Sequence, residues 1–410
     1  MLKTKHPWIM LASIYITQYI GIAFILSAAM AILRQQGVPL DKLALLNLAV
    51  LPMVGKIFYA PLIDKYKLSL QGKYRSWLIL SNLGMVLLLL IIGTMDASQG
   101  FLGILGVIGL YVFFMSLQDV SVDGLSCKLF SMSERKFASS VQFSGNLLGN
   151  IIGGGLLLIF YPWLGWQGSF GVLAGLTALA LIQVCLFKEP NTTNNVSQEN
   201  HQYLFKDING FMVKHKSWFV VLALYPFVST WGFALLNPIL VDSAWSLDEI
   251  GSSIKIFGSI VGVFSAMLAA PLITKLGRQK ALISALVLQM AGLCLIILPA
   301  FGYTDKVTVY LVIVTHFVSF PALLVISSTI FMDNASVTSR KATFFTLQAS
   351  FASLLGFVYS WLSMAVAKQL GYGMTSLLGA VISLIIVGLV WILLYRQGPD
   401  TRLQLDNQCN

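Results

Sequence analysis

Charged residues are scarce in this chain of 410 residues. Only 10% of the sequence is Asp, Glu, Lys or Arg, whereas 57% is hydrophobic. Soluble globular proteins carry about 25% charged residues, so this chain has too few to cover a water-exposed surface. A lipid bilayer accommodates such a composition, because lipid replaces water around apolar side chains. The composition therefore excludes an ordinary soluble protein and predicts an integral membrane protein.

Cysteine is sparse, and motifs for metals or nucleotides are absent from the sequence. The four cysteines stand far apart, and no CxxC or CxxxxH spacing for zinc or haem occurs. No GxxxxGK[ST] loop is present, which excludes a P-loop ATPase. We therefore expect neither a cofactor nor a resident metal, so any uphill transport must draw on a gradient.

The apolar segments predict twelve transmembrane helices, called spans 1 to 12 below. They cover residues 8–33, 43–64, 76–95, 101–127, 137–160, 168–187, 217–240, 249–273, 281–300, 307–331, 343–367 and 374–395. Most are close to the 20 or so residues that cross a bilayer as a helix. The first is too long for the core of a signal peptide.

The chain has a net charge of +10, and most of its basic residues lie in the loops between spans. Alternate loops on the side of the N-terminus carry 20 Lys and Arg residues, and the opposite loops carry 4. Short basic clusters between apolar runs are typical of topology signals and argue against nucleic-acid binding. The bias predicts a multi-pass protein with both termini in the cytoplasm.

The chain is expected to contain two six-helix bundles that resemble copies of each other. We place an N-terminal bundle at 1–187, a polar cytoplasmic linker at 188–216, a C-terminal bundle at 217–395 and a cytoplasmic tail at 396–410. Residues 60–65, APLIDK, and 270–275, APLITK, match at five of six positions. Internal duplication is typical of transporters in which two bundles move about a central site.

Two charges are predicted to lie at the same depth in the membrane. Lys56 precedes Asp64 by two helical turns, so it lies about 12 Å from the membrane surface, and Asp119 lies at a similar depth in span 4. Opposite charges at matched depth in a low-dielectric medium should pair. The alternative for Lys56 is that its long side chain reaches the interface.

A second set of charges predicts a latch at the cytoplasmic ends of the helices. Asp64 and Asp123 are its acidic members, and Lys65 or Arg75 in the 2–3 loop is its basic member. Asp123 shares one face of span 4 with Asp119, because the two are four residues apart. The alternative is that Asp123 only caps and anchors the helix end.

Uncharged polar residues within the spans are candidates for solute binding, because amides and rings with polar atoms are costly in lipid. Span 5 carries an i, i+4, i+8 stripe of amides beside a stripe of glycines at 145, 149 and 153 that suits close helix packing. For His316 a hydrogen-bonded packing role is the alternative, and for the aromatic residues packing is the alternative. The candidates are Tyr15, Gln18, Gln142, Asn146, Asn150, Trp231, Asn237, His316 and Gln348.

The sequence resembles the major facilitator superfamily. The end of span 2, residues 60–65, and the basic loop after it are similar to the superfamily's signature between helices 2 and 3. Residues 56–64 together with Gln118-Asp119 and Asp123 resemble the branch of AmpG-type muropeptide permeases, acetyl-CoA transporters and RhtX/FptX-type siderophore permeases. Residues 15–19, 32–37 and 153–166 look most like the siderophore permeases.

This resemblance implies the major facilitator fold and secondary active transport. It points to import of a ferric siderophore, or another metal-loaded metallophore, across the bacterial inner membrane in symport with protons. Asp119 is the preferred proton carrier and His316 the second. An AmpG-type muropeptide permease is the alternative. A membrane enzyme of diphosphate chemistry and a non-transporting receptor are further readings, although the enzyme would need a second acidic cluster. The expected partners are a small-molecule solute, protons and membrane lipid.

Overall fold

The computed structural model describes residues 7–29, 32–33, 46, 51–68, 72–95, 101–190 and 204–395. Helices are the only regular secondary structure within these residues. Residues 191–203 of the predicted linker and the predicted tail at 396–410 lie outside them. The all-helical fold class predicted from the sequence is confirmed.

The helices follow the apolar segments of the sequence. In chain order their bounds are Trp8–Ala23, Leu51–Val54, Lys56–Lys65, Lys73–Thr94, Phe101–Leu129, Arg135–Asn150, Leu157–Leu186, Leu204–Lys214, Lys216–Thr230, Phe233–Asp242, Leu247–Ile250, Gly258–Ala300, Lys306–Ser336 and Lys341–Tyr395. Three π-helical segments adjoin them, at Phe24–Ala29, Ile151–Leu156 and Gly251–Phe257. Within the described residues, eight helical stretches are long and apolar enough to cross a membrane.

Three of these stretches are too long for a single crossing. They contain 52, 50 and 54 residues, whereas about 20 residues suffice. Each contains one glycine with positive φ, namely Gly165 at 64°, Gly277 at 77° and Gly371 at 77°. Glycine adopts this conformation without the steric cost that a Cβ brings, so each stretch is two helices joined at a glycine. With those three counted twice, the eight stretches give eleven crossings. The shorter helix Lys56–Lys65 lies in span 2, so the twelve predicted spans are accounted for.

Span 7 is interrupted in its middle. Its two helices, Lys216–Thr230 and Phe233–Asp242, are separated by a turn at residues 231–232. The sequence predicts that Pro226 and Pro238 can break this span, but each proline lies inside a helix. The break falls between them, at Trp231 and Gly232.

The described residues divide into two compact units. Unit 1 contains the described parts of 1–199, 254–270 and 324–350, and unit 2 those of 200–253, 271–323 and 351–410. Spans 1 to 6 therefore lie in unit 1, together with parts of spans 8, 10 and 11. The division into six-helix bundles at residues 188–216 stays a prediction.

The core of unit 1 is apolar and aromatic. Phe24 and Phe170 meet edge to face, with ring centroids 5.3 Å apart. Leu89 and Ile108 are buried in the same cluster. This cluster joins residues of spans 1, 3, 4 and 6, so it fixes the elements that carry the polar residues described below. In unit 2, a smaller cluster contains Leu235, Ile239 and Ala367.

Span 5 packs closely on span 1 through its glycines. A Cβ at Gly149 would lie 2.6 Å from the carbonyl oxygen of Ile16 and 2.7 Å from the Cβ of Tyr19. A Cβ at Gly153 would overlap the carbonyl oxygen of Ile20. The close packing predicted for this stripe is confirmed, and it brings the polar residues of spans 1 and 5 together.

Candidate functional site

Charged side chains of spans 2 and 4 meet inside unit 1. Lys56 begins the second helix of span 2, directly after a turn at Gly55. Its Nζ lies 2.7 Å from Oδ2 of Asp119, and the two side chains are 15% and 9% exposed. The ion pair predicted from the matched depths of these residues is present. Together with Asp123 they are called the charged cluster below.

Span 1 contributes a second partner to Asp119. Gln18 Nε2 donates to Oδ1 of Asp119 at 2.8 Å, so Gln18 and Lys56 occupy different carboxylate oxygens. Gln18 is fully buried, and within the described residues its Oε1 accepts no hydrogen bond. A buried acceptor without a partner costs about 1–3 kcal/mol. A donor group that reached this oxygen would remove that cost, and a role for Gln18 in solute binding stays a prediction.

Asp123 lies one helical turn beyond Asp119 and is 1% exposed. The hydroxyl of Tyr15 donates to its Oδ1 at 3.0 Å, and Gln142 Nε2 donates to the same oxygen at 3.1 Å. Both donors are neutral, whereas the charge of Asp119 is balanced by Lys56. An ionised Asp123 therefore gives the charged cluster an excess negative charge, and burying such a charge without a counter-charge is costly.

Gln142 also contacts span 10. Its Oε1 accepts a hydrogen bond from Ser328 Oγ at 3.0 Å. Ser139, one turn earlier in span 5, donates to Ser328 Oγ at 3.3 Å. These residues are buried. A continuous hydrogen-bonded path thus runs from the carboxylate of Asp123 to span 10, a contact that the sequence did not suggest.

Asp64, at the end of span 2, binds the beginning of span 11. Its Oδ2 accepts hydrogen bonds from the backbone N–H and the hydroxyl of Thr343, both at 2.7 Å. The hydroxyl of Tyr74 donates to its Oδ1 at 2.6 Å. The helix that contains span 11 begins at Lys341. A carboxylate is favoured there because the first N–H groups of a helix lack intrahelical acceptors and the helix dipole is positive at that end.

The predicted latch of Asp64, Asp123 and Lys65 or Arg75 has different partners in the structure. Arg75 donates from Nε to the carbonyl oxygen of residue 184 at 3.1 Å and from Nη2 to that of residue 185 at 2.6 Å, at the end of span 6. Lys65 is exposed, with its Nζ 5.1 Å from the ring centroid of Tyr66. The carboxylate of Asp64 is satisfied by the start of span 11, and Asp123 by Tyr15 and Gln142. Both acids are buried in these contacts, and a latch that pairs them with Lys65 or Arg75 stays a prediction.

A second ion pair joins spans 5 and 10. Arg135 Nη1 lies 2.9 Å from Oδ1 of Asp333, and both side chains are at most 13% exposed. The sequence prediction missed this pair. The offset of 210 residues between the two APLI segments also relates Asp123 to Asp333, so the internal repeat contained a signal for the acidic member.

His316, in unit 2, is enclosed by aromatic rings. Its ring lies parallel to that of Phe233 with centroids 3.5 Å apart, and it stacks on Phe320 at 5.1 Å. Its Nδ1 is hydrogen-bonded to Gln289 Nε2 at 2.8 Å. Gln289 also accepts from the hydroxyl of Ser319. The contacts are those of a hydrogen-bonded packing residue, which was the alternative weighed from the sequence.

The other predicted binding residues have varied surroundings. Asn146 is buried, and the amide orientation that satisfies its hydrogen bonds donates to the carbonyl oxygens of Gln142 and Tyr15. Gln348 accepts from Asn334 Nδ2 at 3.1 Å, and its amide nitrogen donates to backbone carbonyl oxygens. A role for either in solute binding stays a prediction.

Three predicted binding residues remain. Trp231 is buried at the break of span 7, and its Nε1 donates to the carbonyl oxygen of Thr375 at 3.1 Å. Asn150 and Asn237 are exposed. The structure therefore brings Tyr15, Gln18 and Gln142 to the charged cluster, whereas Trp231, Asn237 and His316 belong to unit 2.

Comparison with known proteins decides the family. The sequence model of the Major Facilitator Superfamily matches residues 8–358. The chain belongs to the major facilitator superfamily. It is therefore a multi-pass membrane transporter rather than an enzyme. A crystal structure of the superfamily transporter FucP, in the outward conformation, superposes with a TM-score of 0.71, covering 96% of this chain and 99% of that chain. At 15% identity, this likeness shows the fold alone.

Curated relatives are named as permeases of the AmpG type. The anhydromuropeptide permease of Escherichia coli K12 is 23% identical over 261 residues, which are 63% of this chain and 53% of that protein. The match thus spans about half the length of that relative. Putative transporter AmpG 3 of Rickettsia typhi is 23% identical over 369 residues, covering 86% of this chain and 87% of that protein. These names do not support the siderophore branch that the sequence suggested.

Proposed function

We propose that this superfamily member is a permease of the AmpG type that imports anhydromuropeptides across the bacterial cytoplasmic membrane. The observation that carries the proposal is the similarity to a permease named for that substrate. The Rickettsia relative supports it, because that similarity extends over most of both chains. Ferric siderophore import, the first reading of the sequence, has no comparable support and is replaced by its alternative.

We place the loops with the basic excess in the cytoplasm, following the distribution of Lys and Arg. In this orientation the contacts of Asp64 with span 11 and of Arg135 with Asp333 lie toward the cytoplasmic ends of their spans. Both connect residues of the first six spans to residues of the last six. They would close the cytoplasmic side in one state of an alternating-access cycle and would separate in the other.

Protons are the proposed coupling ion, and Asp123 is the proposed carrier. The sequence favoured Asp119, but that carboxylate is held by Lys56 at 2.7 Å. Asp123 accepts hydrogen bonds from the neutral donors Tyr15 and Gln142. Protonation of Asp123 would remove an uncompensated buried charge, whereas protonation of Asp119 would strand the charge of Lys56. His316, enclosed by rings in unit 2, is not needed for this scheme.

The charged cluster is also the proposed place for the solute, in a state of the cycle that exposes Gln18. The unpartnered Oε1 of Gln18 is a hydrogen-bond acceptor next to Asp119. An anhydromuropeptide carries hydroxyl and amide N–H donors on its sugar and peptide parts, which suit such an acceptor. Because Asp119 neutralises Lys56, we do not assign the carboxylates of the solute to this lysine.

Uptake into spheroplasts tests the proposed function. Cells lacking their own AmpG-type permease would express this chain and receive either a radiolabelled anhydromuropeptide or a radiolabelled ferric siderophore. We expect uptake of the first only, and we expect a protonophore to abolish its accumulation. Asp123→Asn should prevent accumulation, while Asp305→Asn, a matched change in an exposed loop residue, should not. Accumulation of iron without muropeptide uptake would overturn the assignment.

A further inference from the structure

The side-chain amide of Gln142 lies between Asp123 and span 10. Its nitrogen donates to Asp123 Oδ1 at 3.1 Å, and its oxygen accepts from Ser328 Oγ at 3.0 Å. All three residues are at most 6% exposed. One amide therefore joins the proposed proton carrier in the first half of the chain to a helix in the second half.

The side-chain amide of Gln142 has a donor end and an acceptor end, so its partners fix its orientation. An ionised carboxylate can only accept hydrogen bonds, so it fixes the nitrogen of Gln142 toward Asp123. The oxygen of Gln142 then faces span 10, where Ser328 must act as the donor. The orientation seen in the structure is the one that an ionised Asp123 requires.

Protonation of Asp123 changes this arrangement. The charge-assisted bond from Gln142 becomes a neutral bond, which is about half as strong. The neutral acid also gains a donor, so the amide can turn over and present its nitrogen to Ser328. Ser328 would then exchange its donor role for an acceptor role beside the bond that it already accepts from Ser139 at 3.3 Å, and no bond from Gln142 would then be charge-assisted.

We propose that Gln142 and Ser328 transmit the protonation state of Asp123 to the contact between spans 5 and 10. This inference rests on the proposed proton coupling and deepens it by naming the residues that link the proton to the conformational change. An ionised Asp123 holds the contact closed, and a protonated Asp123 loosens it. Gln142 and Ser328 are positioning residues, since they act through Asp123.

The direction agrees with import by symport. A carrier that has taken up a proton from the outside must open toward the cytoplasm, and an empty carrier must close there before it returns. Loosening of spans 5 and 10 on protonation serves the first step, and restoration of the charge-assisted bond serves the second. The Arg135–Asp333 ion pair lies at the end of the same two helices.

Other titratable groups also lie near Asp123. Tyr15 and Tyr19 approach from span 1 and Lys56 from span 2, while Asp119 and Cys127 lie on its own span. The partners from spans 5 and 10 are the uncharged Gln142 and Ser328. Within the part of the chain that the structure describes, Gln142 and Ser328 form the hydrogen-bonded path from Asp123 to the second half of the chain, so their substitution separates transmission from proton binding.

The distance between spans 5 and 10 is the direct readout. Spin labels would be attached to cysteines at positions 137 and 337, whose side chains, Phe137 and Val337, are 46% and 67% exposed. The four native cysteines would be replaced by serine, and the full chain would be reconstituted in lipid nanodiscs. Distances between the labels would be measured by pulsed electron paramagnetic resonance at pH 8 and pH 5.

We expect the short distance to dominate at pH 8 and the long distance to grow at pH 5. Asp123→Asn should remove the response to pH. Ser328→Ala should lower the ratio of short to long distances at pH 8 at least about fivefold, the effect of losing the hydrogen bond to Gln142. Ser328→Thr keeps a hydroxyl and should restore the ratio.

The neighbouring Ser327 supplies a matched control. It is equally buried, and within the described residues its hydroxyl has no hydrogen-bond partner. Ser327→Ala should therefore behave like the parent. The inference is wrong if Ser328→Ala and Ser327→Ala respond alike, or if the parent gives the same distances at both pH values.

The measurement needs no solute, so its outcome is separate from that of the proposed function. If the distances respond as expected but anhydromuropeptide is not taken up, the assigned solute is wrong and the inference stands. If uptake is driven by protons but Ser328→Ala behaves like Ser327→Ala, the proposed function stands and the transmission path is wrong.

Discussion

Replacement of Lys56 by methionine should destabilise the protein by about 3 kcal/mol, because it leaves Asp119 as a buried charge without a counter-charge. At the observed separation of 2.7 Å, two unit charges attract by about 6 kcal/mol at an effective dielectric constant of about 20. Desolvation of both groups offsets part of this attraction. Removal of one partner from a buried pair typically costs about 3–5 kcal/mol. Because the Lys56 and Asp119 side chains remain 15% and 9% exposed, we expect a cost at the lower end of this range of about 3–5 kcal/mol.

The second substitution of the cycle is Asp119→Asn, which keeps an oxygen that can accept from Gln18. Alone, it should also destabilise, since it strands the ammonium group of Lys56. The double variant Lys56→Met with Asp119→Asn removes both charges. We expect it to recover about 2 kcal/mol relative to the sum of the single effects, because neither charge is then left alone.

Cys127 provides the assay, because it is a buried free thiol in span 4. With Cys185, Cys294 and Cys409 changed to serine, a thiol-reactive fluorophore reports unfolding of the detergent-solubilised protein through this residue. The entropy of unfolding is about 2.1 cal/mol/K per residue. In a chain of 410 residues, a loss of 1 kcal/mol in the free energy of unfolding therefore lowers the midpoint temperature of unfolding by about 1.2 °C. Lys56→Met should therefore lower the midpoint by about 3–4 °C. Strictly additive shifts in the double variant would refute the reasoning.

Three further helix contacts are tested by substitution. Gly149→Ala should destabilise by about 1–3 kcal/mol in the same assay, because its new methyl group has no room against span 1. Arg135→Asp and Asp333→Arg should each impair uptake, and the double variant with exchanged charges should regain it. Thr343→Val removes one hydrogen bond to the carboxylate of Asp64, worth about 1.5–3 kcal/mol. In a chain that also carries Ala342→Cys, this change should make the new thiol more reactive toward a membrane-impermeant reagent added on the cytoplasmic side.

Each of these variants has a matched control in the chain. A Cβ at Gly155 would meet nothing within 4 Å, so Gly155→Ala should leave the midpoint unchanged. The buried hydroxyl of Thr346 has no partner within the described residues, so Thr346→Val should not expose the thiol at position 342. Lys280→Asp reverses an exposed charge and should leave uptake intact. Equal effects of a variant and its control, or no recovery in the charge exchange, would contradict the assigned contacts.

The sequence predicted the contacts whose residue types are distinctive. Lys56 and Asp119 are rare charges at matched depth in a medium that leaves few other partners, so their pairing followed from position alone. The glycines of span 5 recur on one helix face, and close packing on a neighbouring helix is what such a stripe favours. The twelve spans followed from hydropathy, because the bilayer sets the length of each helix.

The contacts of Asp64 could not be read from the sequence. Its main partners are a backbone N–H group and the hydroxyl of Thr343 at the start of span 11, and every residue but proline offers an N–H group. Arg75 was assigned to an acid because of its charge, but carbonyl oxygens at the end of span 6 also accept from a guanidinium. In both cases helix ends supplied the partner, and helix ends carry no distinctive side chain.

The choice of proton carrier changed for a related reason. The sequence placed Asp119 and Asp123 on one face of span 4 but did not distinguish their surroundings. The structure does so, since Lys56 neutralises the first and neutral donors bind the second. The solute class depended on resemblance rather than on geometry, and the relatives reported above favour muropeptides over siderophores.

Proton-coupled import of anhydromuropeptide by purified protein tests the central claim most directly. The chain would be reconstituted in liposomes that contain a pH-sensitive dye, with an acidic exterior and labelled anhydromuropeptide outside. We predict accumulation of the label together with acidification of the lumen, and loss of both in Asp123→Asn while exchange of labelled for unlabelled solute continues. Accumulation that is the same with and without the proton gradient, or an Asp123→Asn variant that still accumulates solute, would contradict the account.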